Sequence, residues 1–235
     1  MTERAFPPPL AHGPIEEVFP DLFLVRGGFR LGPGMTITRN MAIVRQGSEL
    51  VLLNTVRLSP EGEAALDKLG KVAAILRIGA FHGLDDPYYV HRYGPLLWAP
   101  PGTKHQGDGI TAKDLTPTAS PLEGARVFVF EKGRRPEVAI VLARDGGILL
   151  TCDSYQHWTT YDGCSPLAKI VMRVMGFGPT VVGGPWVKAM GPAIREDLTR
   201  LLDEPFAHLV PAHGTVLREV AKAGLRTAIA RRFGA

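Results

Sequence analysis

Three stretches of the chain end an apolar run in a residue that can donate electrons to a cation. Leu76 to Pro87 reads LRIGAFHGLDDP, and follows the run Val72-Ala73-Ala74-Ile75 with His82, Asp85 and Asp86. Gly147 to Asp153 reads GILLTCD and ends on a carboxylate, and His208 to Gly214 reads HLVPAHG and ends on His213. A buried strand that stops in a His/Asp loop is where open α/β folds place their chemistry. Imidazoles and carboxylates from three strand ends can converge on one metal ion.

The remaining elements are those needed to hold three such ends together. Glu16–Arg26 has the β-rich composition of a first strand, with Pro20 confining it to an edge or a bend. The glycines from Gly27 to Gly34 predict a flexible turn. Met35–Arg45 and Glu49–Leu53 predict a hairpin across Gln46-Gly47-Ser48. Ser59-Pro60-Glu61 is a helix start, with Ser as N-cap, Pro at the first helical position and acid in the first turn; Gly70 is the stop. Strand, helix and strand from Glu49 to Ile78 favour a parallel pairing. Asp86-Pro87 opens another helix, and Leu96–Ala99 is the next strand. Residues 103–125 are polar and without period. Arg126–Glu131, Glu137–Ala143 and Ile148–Thr151 follow as strands. Helices are expected over Ser165–Met175, Pro192–Leu202 and Val216–Arg232, with a short strand at Phe206–Val210 between the last two. Residues 1–14, with Pro7-Pro8-Pro9, form an extended N-terminal arm, and 15–235 a single domain of two mixed sheets with helices outside.

At 45% apolar and 21% charged residues the chain of 235 can bury a sizeable core, which argues against disorder. The net charge of +4 is scattered rather than gathered into a basic, aromatic-interleaved run, so nucleic acid is not the expected partner. Cys152 and Cys164 do not make a disulfide framework. MTERAFPPPL lacks an apolar signal-peptide core, and no window is long enough to span a bilayer. A cytoplasmic protein without a membrane partner is therefore expected.

In order of elements and at the strand ends, the chain resembles the metallo-β-lactamase superfamily, a four-layer αβ/βα sandwich with metals along one edge. The family motif Thr-His-x-His-x-Asp-His falls on Gly79-Ala80-Phe81-His82-Gly83-Leu84-Asp85. His82 matches the second His, and Asp85 takes the place of the last. Asn54 stands where the family has a strand-end Asp, Asp153 matches the bridging Asp, and His213 in Pro211-Ala212-His213-Gly214 matches the last His. Ala80 and Leu84 depart from the pattern, and Arg134-Arg135-Pro136 occupies the area of the mid-chain His. The resemblance is to a motif-depleted branch of the superfamily.

The resemblance implies a hydrolase with a reduced, single-metal site. Asp85, Asp153 and His213 are the implied ligands, His82 is a fourth ligand or proton carrier, and His157 is a substitute. Zinc is the first expectation; two carboxylates with imidazoles also suit manganese or iron(II). Such an ion would activate water against an ester, amide or phosphoester. Asp86 is the candidate general base, or a partner for His82. Tyr88, Tyr155 and Trp158 would wall a pocket for an apolar or aromatic substrate, or fill the space left by a lost metal. Plain alternatives stand beside these. Asp85 and Asp86 are also good helix caps, Asp153-Ser154 an Asx-turn, and His213-Gly214 a structural turn. The alternative for the whole chain is a non-catalytic member that binds a small molecule or a protein.

Overall fold

The computed structural model describes residues 6–105 and 110–234. Part of the expected arm and part of the aperiodic 103–125 stretch lie outside the described residues.

The chain folds into four layers, helix–sheet–sheet–helix. The first sheet has seven strands in sequence order. Strands β1 (Glu16–Phe19), β2 (Leu22–Gly32), β3 (Met35–Gln46) and β4 (Glu49–Leu53) form an antiparallel meander; β5 (Lys71–Leu76), β6 (Leu96–Ala99) and β7 (Lys113–Asp114) add in parallel. Helices α1 (Pro60–Leu69) and α2 (Asp86–Tyr93) link β4 to β5 and β5 to β6. The second sheet runs β11-β10-β9-β8, built from β8 (Arg126–Val129), β9 (Val138–Leu142), β10 (Ile148–Thr151) and β11 (His208–Pro211). In it β10 and β11 are parallel and the other pairs antiparallel. Helices α3 (Pro166–Val174), α4 (Gly184–Met190), α5 (Ile194–Leu201) and α6 (Ala221–Phe233) complete the chain.

Alternation along the central strands shows how the layers cohere. In β4, Val51 and Leu53 pack between the sheets while Leu50 and Leu52 pack in the cluster that holds Leu66 of α1 and Tyr89 of α2. In β9, Val138, Ile140 and Leu142 fill the inter-sheet core and Ala139 and Val141 meet the helices. Both faces of these strands are covered, so they read as unbroken apolar runs rather than alternating ones. Burial of each such side chain contributes roughly 1.5–3 kcal/mol before entropy is charged against it. At the start of α1, Ser59 Oγ accepts from Gly62 N at 3.3 Å.

Several expectations need correction. The single strand expected over Glu16–Arg26 breaks at Pro20-Asp21, where Asp21 takes φ 58°, and resumes as β2. The glycine stretch is no turn until Pro33-Gly34: Gly27 and Gly28 lie within β2, opposite Arg39 and Thr38. Gly27 is small because its neighbours press on it; a Cβ there would meet Val56 Cγ1 at 2.3 Å. The end of the arm reaches this strand, with Gly28 N donating to Ala11 O and Ser59 N to His12 Nε2. The aperiodic 103–125 region supplies β7 and two buried leucines, Leu115 and Leu122. Helix α4 was not expected, because Gly183-Gly184-Pro185 reads as a loop; burial of Trp186 and Met190 organises it instead. The closing helix begins at Ala221 rather than Val216, since Leu217 pairs back onto Leu209.

Candidate metal centre

Two ligand-bearing loops leave the second sheet side by side. Thr151 and Pro211 are register partners in the parallel β10/β11 pair, and Ala212 N donates to Thr151 O at 2.9 Å. Asp153 and His213 each lie two residues beyond those partners, so strand register alone brings them together. His82 comes from the first sheet, on the loop after β5. Val138 N donates to Ile78 O at 2.9 Å, which fastens the start of that loop to the second sheet. The buried Arg77 then holds the loop from beneath, donating to the carbonyls of Gly79, Ala80 and Lys104 at 3.3, 2.8 and 2.7 Å.

His82, Asp153 and His213 meet at the edge where the sheets end. Nε2 of His82 lies 3.1 Å from Nε2 of His213 and 3.5 Å from Asp153 Oδ2; Nε2 of His213 lies 3.2 Å from Asp153 Oδ1. Two ligands at about 2.0–2.1 Å from a tetrahedral cation sit about 3.3 Å apart, so the spacing fits a shared ion. His213 Nδ1 lies 2.9 Å from the Thr38 carbonyl, to which it donates, leaving the Nε2 lone pair toward the cluster. The Trp158 ring stacks on the His213 ring at 6.1 Å between centroids. Beside His213, Gly214 takes φ +93°, and a Cβ there would sit 2.0 Å from His157 O. Only glycine fits that turn.

The electrostatics suit a cation. Burial alone would raise the Asp153 carboxyl, but its close contacts with His82 and His213 outweigh burial and hold the group far below the carboxylate range. Burial, only partly offset by Asp153, lowers His82 and favours its neutral form. An ionised carboxylate beside neutral imidazole is the state that metal binding requires. Burial likewise pushes the Cys152 thiol up, which makes it a poor nucleophile and a donor toward Asp153.

The other candidate residues lie elsewhere. Asp85 is not part of the cluster: its Oδ2 is paired with Arg39 and accepts from Arg57 N at 2.7 Å. It occupies the N-cap position of α2 without a capping bond. Asp86 is buried beneath the loop, accepts from Thr55 Oγ1 at 2.6 Å, and is pushed up by burial. His157 is close in the chain, but its Nδ1 accepts from Thr180 N at 3.2 Å and its carbonyl serves Thr215 N. Tyr88 lies under the Arg57 guanidinium and donates to Glu63. Tyr155 is buried among the helix-side residues and donates to Ala221 O at 3.0 Å. Neither tyrosine lines the cavity beside the cluster, whereas Trp158 does.

Sequence reading passed over two groups. Thr38-Arg39-Asn40 on β3 are all buried. Thr38 orients His213, Arg39 pairs with Asp85, and Asn40 Nδ2 donates to Pro211 O and Gly214 O, each at 2.9 Å. A polar triplet inside a strand covered on both faces was the available signal. Glu137, fully buried, accepts from Trp186 Nε1 at 2.7 Å and Ser154 N at 3.2 Å; burial and the Asp153 charge push its carboxyl up. In the sequence it is indistinguishable from a surface acid at the start of a strand.

No protein-family model matches the sequence, and no curated protein is significantly similar to it. Solved structures do match. FIM-1 from Pseudomonas aeruginosa, a metallo-β-lactamase in its mono-zinc form, aligns with TM-score 0.68 at 12% identity over 97% of this chain and 98% of its own. A metallo-β-lactamase from Pontibacter korlensis gives 0.64 at 14% identity over 92% and 97%, and one from Erythrobacter litoralis 0.60 at 12% over 92% of each. The chain therefore has the metallo-β-lactamase fold. Among the described residues, no helix is long and apolar enough to cross a membrane.

Proposed function

We propose that this protein is a metal-dependent hydrolase with one cation held by His82, Asp153 and His213. The observation that carries this reading is the convergence of the two Nε2 atoms, 3.1 Å apart, on the Asp153 carboxylate, whose Oδ2 lies 3.5 Å from His82 and whose Oδ1 lies 3.2 Å from His213. Two imidazoles and one carboxylate suit zinc, manganese or iron(II), with at least one position left for water or substrate. The cation would supply Lewis acidity, lowering the pKa of water and polarising the substrate oxygen. Asp153 offsets one positive charge, Thr38 and Trp158 fix the His213 ring, and Arg77 and Asp86 support the His82 loop. Arg39 reserves Asp85 for an ion pair, so Asp85 is assigned no ligand role.

A second reading has its own observation. The same three side chains satisfy one another by hydrogen bonds, as a cluster in a non-catalytic binding protein would. Elemental analysis of protein purified without added metal separates the two. About one equivalent of transition metal per chain is expected, lost in Asp153→Ala with the fold retained by circular dichroism. A folded wild-type chain that binds no divalent metal even on reconstitution sinks the hydrolase reading.

A further inference from the structure

His82, Asp153 and His213 are among the residues that line a cavity of about 520 Å³. That volume suits a drug-sized ligand. The long walls are apolar, with Met35 and Ile37 from β3, Val171 and Met172 from α3, and Trp158 and Trp186 closing the sides. The polar groups gather at the floor, where Arg39 and Gln156 join His82, Asp153 and His213. The mouth is apolar too. Leu31, Phe81, Leu84 and Met175 line the cavity and are 50, 49, 44 and 49% exposed. Exposed and buried apolar side chains thus line the same cavity as the cluster, and exposed apolar surface of this kind marks a binding site.

We propose that the cavity takes an acyl compound, an ester, lactone or amide, whose hydrocarbon chain lies along α3 and whose carbonyl reaches His82, Asp153 and His213. This ligand class rests on the hydrolase reading for its chemistry and on the cavity walls for its shape. A sugar would set unpaired hydroxyls against methionine and aromatic side chains, at a cost for every one left without a partner. A phosphoester would bring its charge to a floor whose one guanidinium, Arg39, is already paired with Asp85. A hydrocarbon chain meets neither penalty, and flexible Met35, Met172 and Met175 can adapt to its conformers. In the reaction, the water oxygen bonds to the carbonyl carbon and the C–O or C–N bond to the leaving group breaks. One water proton goes to the leaving group, and the other is released as the acid product ionises.

Occupancy can be read without turnover. The chain has three tryptophans, and two of them, Trp158 and Trp186, line the cavity. Dodecanol, dodecanoate and hexanol, each below its aggregation concentration, are titrated into metal-loaded and chelator-treated protein while tryptophan emission is followed. Dodecanol should bind saturably and at least ~100-fold more tightly than hexanol in both forms, because six more methylenes are buried. Ala189→Phe, which narrows the cavity, and Met175→Glu, at its half-exposed mouth, should each weaken dodecanol at least ~10-fold with unchanged circular dichroism. No saturable signal, no chain-length dependence, or affinity indifferent to both substitutions overturns the acyl assignment. The two readings fail separately. Metal binding without dodecanol binding overturns the acyl assignment and spares the hydrolase. Chain-length-dependent binding by a protein that holds no metal supports the acyl cavity and removes the hydrolysis.

Discussion

The two halves of the candidate metal centre are positioned by different means. Asp153 and His213 follow adjacent parallel strands in register, so the hydrogen-bond ladder that makes the sheet also makes the ligand pair. His82 has no such ladder. It sits on an irregular loop whose shape is imposed by one buried guanidinium, with Asp86 and Thr55 packed beneath. The first arrangement is distributed over many backbone bonds and tolerates single losses. The second depends on a few side chains, and each carries a large share of the positioning.

That contrast fixes where substitutions should hurt most. Arg77→Leu removes the donors to two carbonyls of the His82 loop and to Lys104 O beyond β6, and leaves Asp86 buried without its neighbouring cation. We expect a loss of about 3–5 kcal/mol in urea unfolding, the usual cost of breaking a buried charged network from one side. Metal affinity, measured by chelator competition, should fall by more than about 10-fold as His82 leaves its place. Unchanged affinity in a folded Arg77→Leu protein would show that the loop holds its shape by itself. Asn40→Ala tests the sturdier half. It removes two bonds that tie the His213 loop to β3 and leaves Gly214 O with only its 3.3 Å bond from Arg26, at about 2 kcal/mol. The strand register remains, so the drop in metal affinity should be smaller than for Arg77→Leu.

The same contrast explains what could be read from the chain. The β4–α1–β5 unit was legible because Ser59, Pro60 and Gly70 mark the helix ends and the strands are unbroken apolar runs. His82, Asp153 and His213 were visible as polar residues just past such runs. Arg39 was not, since its partner Asp85 lies 46 residues away and no local pattern connects them. Asp85 looked like a ligand for the same reason, because a carboxylate's partner is a tertiary fact. Tyr88 and Tyr155 are neighbours of the site loops in sequence, yet their side chains turn into other packing layers. Nearness along the chain does not say which way a side chain points. Helix α4 escaped because its stability comes from burying Trp186 and Met190, against the local preference of two glycines and a proline.

The smallest effect is the one that makes the comparison interpretable. Ser59 caps α1 on the outer face of the first sheet and touches neither half of the metal centre. Ser59→Ala deletes the Oγ acceptor for Gly62 N while the backbone bond from Ser59 N to His12 persists. Stability should fall by about 1 kcal/mol, as for other N-caps. Metal affinity should stay within about twofold of wild type, because the capping bond orients no ligand. If Ser59→Ala lowered metal affinity in proportion to stability, the losses in Arg77→Leu and Asn40→Ala would reflect global loosening. If affinity holds while stability drops, the effects at Arg77 and Asn40 belong to ligand positioning, and their ratio measures how far a braced loop differs from a registered strand pair.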